Sequence, residues 1–219
     1  MYNPIYCIES GQAMANAITL VRIPLLFVFI YLLNTGRPVI IFWCVPFIVV
    51  IMLLDMLDGM VARKLNQASL LGSALDIAVD RALEIILWVV FSCLGLIPLV
   101  IPLIVITRGT ITDAVRCVGN CRGEAAFSQM KHPLSYFLVS SRFMRDLYGV
   151  IKGGAFVALT LDLGYQAILH PWAPGIHSLA VGISWLTIFM TILRGIPVIA
   201  EQVSLLKKPQ SPNVGHSLS

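Results

Sequence analysis

Four aspartates crowd one short stretch of the chain: Asp55-Met-Leu-Asp58-Gly59-Met-Val-Ala62-Arg63, followed by Gly72, Asp76 and Asp80. All 219 residues together contain only 11 Asp and Glu, so the cluster stands out. On a helix advancing about 100° per residue, Asp55, Asp58, Gly59, Ala62 and Arg63 share one stripe. Gly72, Asp76 and Asp80 share a second stripe, and Ser69 falls in the same arc. Each stripe sets two carboxylates beside a glycine, which costs about 1 kcal/mol against alanine in a helix interior. Two such positions next to acids imply that something bulky approaches the backbone.

Carboxylates on adjoining helices repel, by about 3 kcal/mol per pair at ~5 Å and an effective dielectric of ~20. An aspartate at the middle of a membrane helix costs a further ~2.5–3.5 kcal/mol. Arg63 alone does not offset this, whereas divalent cations do. Oxygen-only donors favour Mg²⁺, Mn²⁺ or Ca²⁺ over zinc. Two such ions would clamp a diphosphate and stabilise both the attacking and the leaving oxygen. A solvated acidic helix end accounts for any one of these aspartates, but not for four in a chain so poor in charge.

The elements that must hold these residues are apolar. Hydrophobic residues make up 58% of the chain and charged ones 12%, about half the charge of a soluble domain. The mean hydropathy is +0.88. The expected architecture is all-α and membrane-integral, with six transmembrane helices around a cytoplasm-facing polar cavity. Apolar runs place these spans at about 16–33, 39–64, 69–94, 99–118, 147–169 and 177–199. Gly95-Leu-Ile-Pro98 breaks the long run at 85–106, and residues 119–146 read as a polar loop. One catalytic domain would cover 1–208, with a juxtamembrane segment at 1–15 and a disordered tail at 209–219.

Basic residues gather at 63–64, at 116–152 and at 207–208, which places those regions on the cytoplasmic side. Both termini and the acidic cluster would then face the cytoplasm, with the protein in a bacterial inner membrane. The start of the chain lacks a basic segment before an apolar run, so it does not read as a cleaved signal. Net charge is +4, but no single basic soluble face gathers it, which argues against a nucleic-acid partner. The five cysteines are scattered and read as small apolar side chains. His132, His170, His177 and His216 have no ligand spacing and read as loop or interface residues. Trp43, Trp88, Trp172 and Trp185 read as lipid-facing or interfacial anchors.

The pattern DxxDGxxARx₈GxxxDxxxD resembles the signature of the CDP-alcohol phosphotransferases (CDP-alcohol phosphatidyltransferases) across residues 53–84, with all eight defining positions present. Chance agreement at eight named positions is on the order of 10⁻¹⁰. The resemblance implies an enzyme that transfers a phosphatidyl group from CDP-diacylglycerol to a small alcohol and releases CMP, in phospholipid biosynthesis. It implies two divalent ions, Mg²⁺ or Mn²⁺, at Asp55, Asp58, Asp76 and Asp80. Asp80 would also be the general base for the acceptor hydroxyl. Gly59, Ala62, Arg63, Ser69 and Gly72 would form the CDP site, with Arg63 reaching the diphosphate. A homodimer with membrane lipid around it is the expected assembly.

The acceptor is read from basic residues inside apolar spans. Arg108 lies about eight residues, roughly 12 Å, inside the fourth span, where a charge is a functional hypothesis by default. Arg116 follows on the same helix, where Asp113 could pair with it, and Lys152 enters on the fifth. Together they would receive the second phosphate of glycerol 3-phosphate. Inositol phosphate is the alternative, as are unphosphorylated inositol, serine or choline. The Arg108…Arg116 spacing resembles the phosphatidylglycerophosphate synthase branch, although Gly109 stands where that branch has glutamate. Asn16, Thr19 and Arg22 resemble a first-helix motif of the same branch, with capping by Asn16 and snorkelling of Arg22 as the plainer account. An intramembrane prenyltransferase would hold its acidic motifs in separate halves of the chain. A divalent-cation transporter would carry acids on several spans. Neither pattern is present.

Overall fold

The computed structural model of the chain describes residues 20–64, 70–121 and 141–206. Ser69, Asn16, Thr19, His132, His216, the 209–219 tail and most of the 119–146 loop lie outside the described residues. Within them the protein is all-helical, with no strand. The helices are α1 (Leu20–Leu33), α2 (Pro38–Lys64), α3 (Leu70–Cys93), α4 (Val100–Cys121), α5 (Arg142–Ala167) and α6 (Ala173–Leu206).

Local chemistry sets the two tight turns. After α1, the Asn34 side chain donates to the Ile30 carbonyl at 2.8 Å and the Thr35 hydroxyl to Leu32 at 2.7 Å. Each adds a side-chain donor to a carbonyl that the same residue's backbone N–H also reaches, at 3.2 Å. Gly36 then turns the chain at φ +65°, a left-handed conformation that glycine adopts without strain. Gly95 does the same after α3 at φ +76°, while the Leu96 amide reaches back to the Phe91 carbonyl at 3.1 Å. This is the glycine-terminated helix end that the Gly95-Leu-Ile-Pro98 run predicts.

Other boundaries differ from expectation. α4 continues through Gly119 and Asn120, and α5 begins at Arg142 rather than near 147. Extending an existing helix by a turn is far easier than nucleating one, so polar residues join its ends. α6 starts at Ala173 and absorbs Pro174, whose missing N–H has no partner to lose in a first turn.

α5 is the hub of the packing, against α6 on one side and α2 on another; α4 packs on α6 and on α3. The core between them is apolar, with Phe29, Ile41, Ile48, Phe91, Phe156 and Leu159 fully or almost fully buried. Trp88 corrects an expectation: it is not a lipid-facing anchor but is 0% exposed, 4.9 Å from the Phe156 ring. An indole is the largest apolar surface available, and burying it between helices yields more than leaving it at a boundary. Trp43, Trp172 and Trp185 are exposed. The segments Asp146–Ala167 and Ala173–Pro197 are long and apolar enough to cross a membrane, and Leu20–Leu33 and Pro38–Leu54 are shorter apolar stretches.

Candidate active site

α3 carries an acidic ladder at four-residue spacing, Asp76, Asp80 and Glu84, which continues into Trp88. Four-residue spacing keeps all of them on one face. Side-chain exposure falls along it from 46% at Asp76 and 48% at Asp80 to 6% at Glu84 and 0% at Trp88. The face is therefore open at its aspartates and closed at the indole.

Five helices bring basic or hydroxyl groups to this ladder. From α1, the fully buried Arg22 donates through Nη2 to Asp76 Oδ1 at 3.0 Å. Snorkelling is thus not its role; the guanidinium holds one oxygen of Asp76 and orients the carboxylate. From α5, Lys152 Nζ lies 4.0 Å from Asp80 Oδ1 and 3.6 Å from Glu84 Oε2. Tyr148, one turn earlier on α5, donates its hydroxyl to Glu84 Oε1 at 2.8 Å. The Thr191 hydroxyl of α6 stands 3.1 Å from that phenolic oxygen. Arg194, also of α6, places its guanidinium 5.2 Å from the centre of the Tyr148 ring, and Lys152 Nζ is 5.7 Å from the same point. Two cations thus flank one aromatic ring, at distances where attraction to its face is worth about 0.5–2 kcal/mol each.

α4 closes the arrangement. Arg81, next to Asp80, makes a two-pronged contact with Asp113, Nε to Oδ2 and Nη2 to Oδ1, both at 3.2 Å. Asp113 thus pairs with Arg81; the side chain of Arg116, which the sequence suggests as its partner, lies outside the described residues. Gly109 follows from the same contact: a Cβ there would stand 3.3 Å from Arg81 Nη1, so the bare backbone gives the guanidinium its path. Arg108 crosses α6 at Gly195, where a Cβ would come within 2.9 Å of its Nε. It is also close enough to Glu84 to act on it electrostatically.

Among the described residues, five cations (Arg22, Arg81, Arg108, Lys152, Arg194) therefore face four carboxylates (Asp76, Asp80, Glu84, Asp113). The arrangement joins Asp76, Asp80, Arg108 and Lys152 from the sequence-based candidates. Asp55, Asp58, Gly59, Ala62 and Arg63 lie in the last turns of α2, Gly72 in the first turn of α3 and Arg116 in α4, but their side chains lie outside the described residues. Arg81, Glu84, Tyr148, Thr191 and Arg194 were not singled out from sequence. Two of them carried a signal: Glu84 extends the four-residue ladder, and Arg194 is a charge deep in an apolar run.

No group of three or more metal-ligating side chains occurs among the described residues, a set that excludes Asp55 and Asp58. The donors that are described fit a hard divalent cation. Asp76 and Asp80 are oxygen-only, half-exposed and one turn apart, and basic side chains hold them from behind.

A profile of the CDP-alcohol phosphatidyltransferase family matches residues 12–193. Proteins of Mycobacterium bovis and of two strains of Mycobacterium tuberculosis, each bearing the name "Putative cardiolipin synthase", are 33% identical over 108 residues. The match covers 49% of this chain and 51% of each relative, so the chain spans about half the length of the curated relatives it matches. The matched profile runs through every helix that contributes to the acidic ladder and its cations, apart from Arg194 at its edge, and the chain belongs to the CDP-alcohol phosphatidyltransferase family.

Proposed function

We propose that this protein transfers the phosphatidyl group of CDP-diacylglycerol to the hydroxyl of a small alcohol and releases CMP, with glycerol 3-phosphate as acceptor. One observation carries the reading: a half-exposed aspartate, Asp80, stands on an open acidic face 4.0 Å from Lys152, and Arg194 lies against the same Tyr148 ring as that lysine. Asp80 accepts the hydroxyl proton, and the freed oxygen forms its bond to the phosphorus nearer the lipid. The bond from that phosphorus to the bridging oxygen breaks, and the electrons leave with CMP. Bound at Asp55, Asp58, Asp76 and Asp80, Mg²⁺ or Mn²⁺ would supply the charge neutralisation that a diphosphate and a departing phosphate need. Arg22 keeps Asp76 turned toward that position. Gly59, Ala62, Arg63, Ser69 and Gly72 form the CDP site in this reading.

The acceptor phosphate falls to Arg108, Lys152 and Arg194, with Arg116 nearer the chain's polar loop. Each is a charged donor of the kind that holds a phosphate monoester. Six spans with both termini in the cytoplasm, and a homodimer, complete the proposal. An outer surface carrying exposed Phe27, Tyr31, Trp43, Phe189 and Ile196 supports a lipid surrounding.

A second reading takes its support from a cavity of about 390 Å³ between α4 and α6. Leu103, Ile104, Ile111, Ile192 and Ile196 line it, and Arg108 forms part of its wall. Cardiolipin, the product in the relatives' name, contains two phosphatidyl groups joined by glycerol, so a CDP-lipid donor reaches it with phosphatidylglycerol as acceptor. Such an acceptor would bring acyl chains, and the cavity would take them.

An acceptor panel decides. Purified protein with CDP-diacylglycerol and Mg²⁺ or Mn²⁺ is offered glycerol 3-phosphate, inositol 1-phosphate, inositol, serine, choline and phosphatidylglycerol, and CMP is measured. Glycerol 3-phosphate should give the fastest release, and chelation should abolish it. Best use of serine or choline would remove the phosphate-binding role of Arg108 and Lys152, and best use of phosphatidylglycerol would establish the second reading.

A further inference from the structure

Glu84 is a carboxylate with 6% of its side chain exposed, and the transfer just described does not use it. Burying an ion pair is no route to stability, because an apolar side chain of similar size next to Trp88 would pack as well without the desolvation cost. What Glu84 does have is a set of partners from α5 and from its own helix. Tyr148 of α5 holds Oε1 at 2.8 Å, and Oε2 faces Lys152 at 3.6 Å and Arg81 at 3.7 Å. Tyr148 in turn has Thr191 at its oxygen and Lys152 and Arg194 about its ring.

We infer that Glu84 and Tyr148 are a positioning pair that sets where Lys152 and Arg194 meet the acceptor. Lys152 lies between two carboxylates, and the pull of Glu84 opposes its collapse onto Asp80, 4.0 Å away. Collapse would withdraw an acceptor-binding cation and occupy an oxygen of the carboxylate that must take a proton. The phenolic hydroxyl holds Glu84 at Oε1, and the ring gives Lys152 and Arg194 a common surface to rest against. The inference rests on the proposed transfer reaction and adds two residues to it that never touch substrate.

Tyr148→Phe keeps the ring and removes only the hydroxyl's hold on Glu84; Glu84→Gln keeps the shape and removes the charge. Each is assayed for CMP release, with glycerol 3-phosphate titrated at saturating CDP-diacylglycerol and the reverse; inositol 1-phosphate replaces glycerol 3-phosphate if the wild type prefers it. Loss of a hydrogen bond to a charged group corresponds to about a tenfold or larger change. Glu84→Gln should raise the acceptor KM roughly tenfold or more, and Tyr148→Phe by about three- to tenfold. The KM for CDP-diacylglycerol should stay within about twofold in both, a split that mere loosening of the fold would not produce. Parallel rises in both KM values, or an unchanged acceptor KM, overturn the inference. Should Glu84→Gln not fold, Tyr148→Phe decides alone. Asp80→Asn runs alongside: if it turns over normally, the transfer reading fails, whereas an inactive Asp80→Asn beside an unaltered Tyr148→Phe defeats the positioning pair only.

Discussion

Two ends of α5 each hold a buried carboxylate, and they resolve its charge in different ways. Toward one end, Glu84 meets Tyr148 and Lys152 with Arg81, Arg108 and Arg194 close by, drawn from four helices. Toward the other, Asp162 is 0% exposed, accepts from His177 Nδ1 at 2.7 Å and accepts from Gln166 at 2.9 Å. Gln166 is one turn away on the same helix, and His177 lies just past the α5–α6 turn. Tyr165, His170 and Trp172 form an edge-to-face aromatic row beside this second cluster. One carboxylate there has one imidazole and one amide, and its lone pairs are occupied by neighbours in the chain. In the first cluster, Lys152, Tyr148 and Arg108 come to Glu84 from segments distant in the chain. A hydrogen-bonded local cluster fastens a helix corner, whereas charged groups from several helices at an open face can take part in binding a ligand.

Neutralising one carboxylate in each region tests that contrast most strongly. Asp80→Asn should lower CMP release by about 10²–10⁴-fold, the range that a general base contributes. Asp162→Asn should leave turnover within about twofold, because it removes charge from a site with no substrate role. Equal losses would show that both carboxylates act through stability.

The next effect concerns the cations proposed to meet the acceptor. Lys152→Met or Arg108→Ala should raise the acceptor KM about 10- to 100-fold, since each removes a charged contact to the acceptor phosphate. Titration of the acceptor at saturating CDP-lipid measures this, and unchanged values would mean that their charges serve the protein alone. His177→Ala should instead lower unfolding stability in detergent by about 1–3 kcal/mol through the buried carboxylate it leaves behind, with both KM values unchanged.

The smallest effect separates two glycines. At both Gly195 and Gly153 an added Cβ would find a side-chain atom at 2.9 Å. At Gly153 that atom is the terminal methyl of Met52, which can swing away, so Gly153→Ala should behave as the wild type. At Gly195 it is the Nε of Arg108, in the middle of a side chain spanning two helices. Gly195→Ala should therefore shift the guanidinium and raise the acceptor KM about threefold to tenfold. Steady-state kinetics on both variants check this, and identical behaviour would place Arg108 outside the acceptor path.

Much of this was legible before any coordinates, and the part that was not has a common character. Asp76 and Asp80 had to share a face once α3 was a helix, because helical periodicity is a local property. The turns at Gly36 and Gly95 follow from residue type in the same way. Trp88 misled, since an aromatic residue in an apolar run has the same composition around it whether it faces lipid or core. Arg22 misled for a related reason: its long stem fits snorkelling and burial equally well, and the decision belongs to Asp76, which lies 54 positions along the chain. Asp113 has an arginine near it in sequence, but its contact with Arg81, 32 positions away, comes from packing of α3 on α4.

Sequence alone determined the family, the helical periodicity and the spacing of the acids, since each is carried by residue types at fixed local offsets. Tertiary structure alone decided which cation serves which carboxylate. Those contacts act over 3–4 Å between segments far apart in the chain, and only the approach and rotation of whole helices sets such distances.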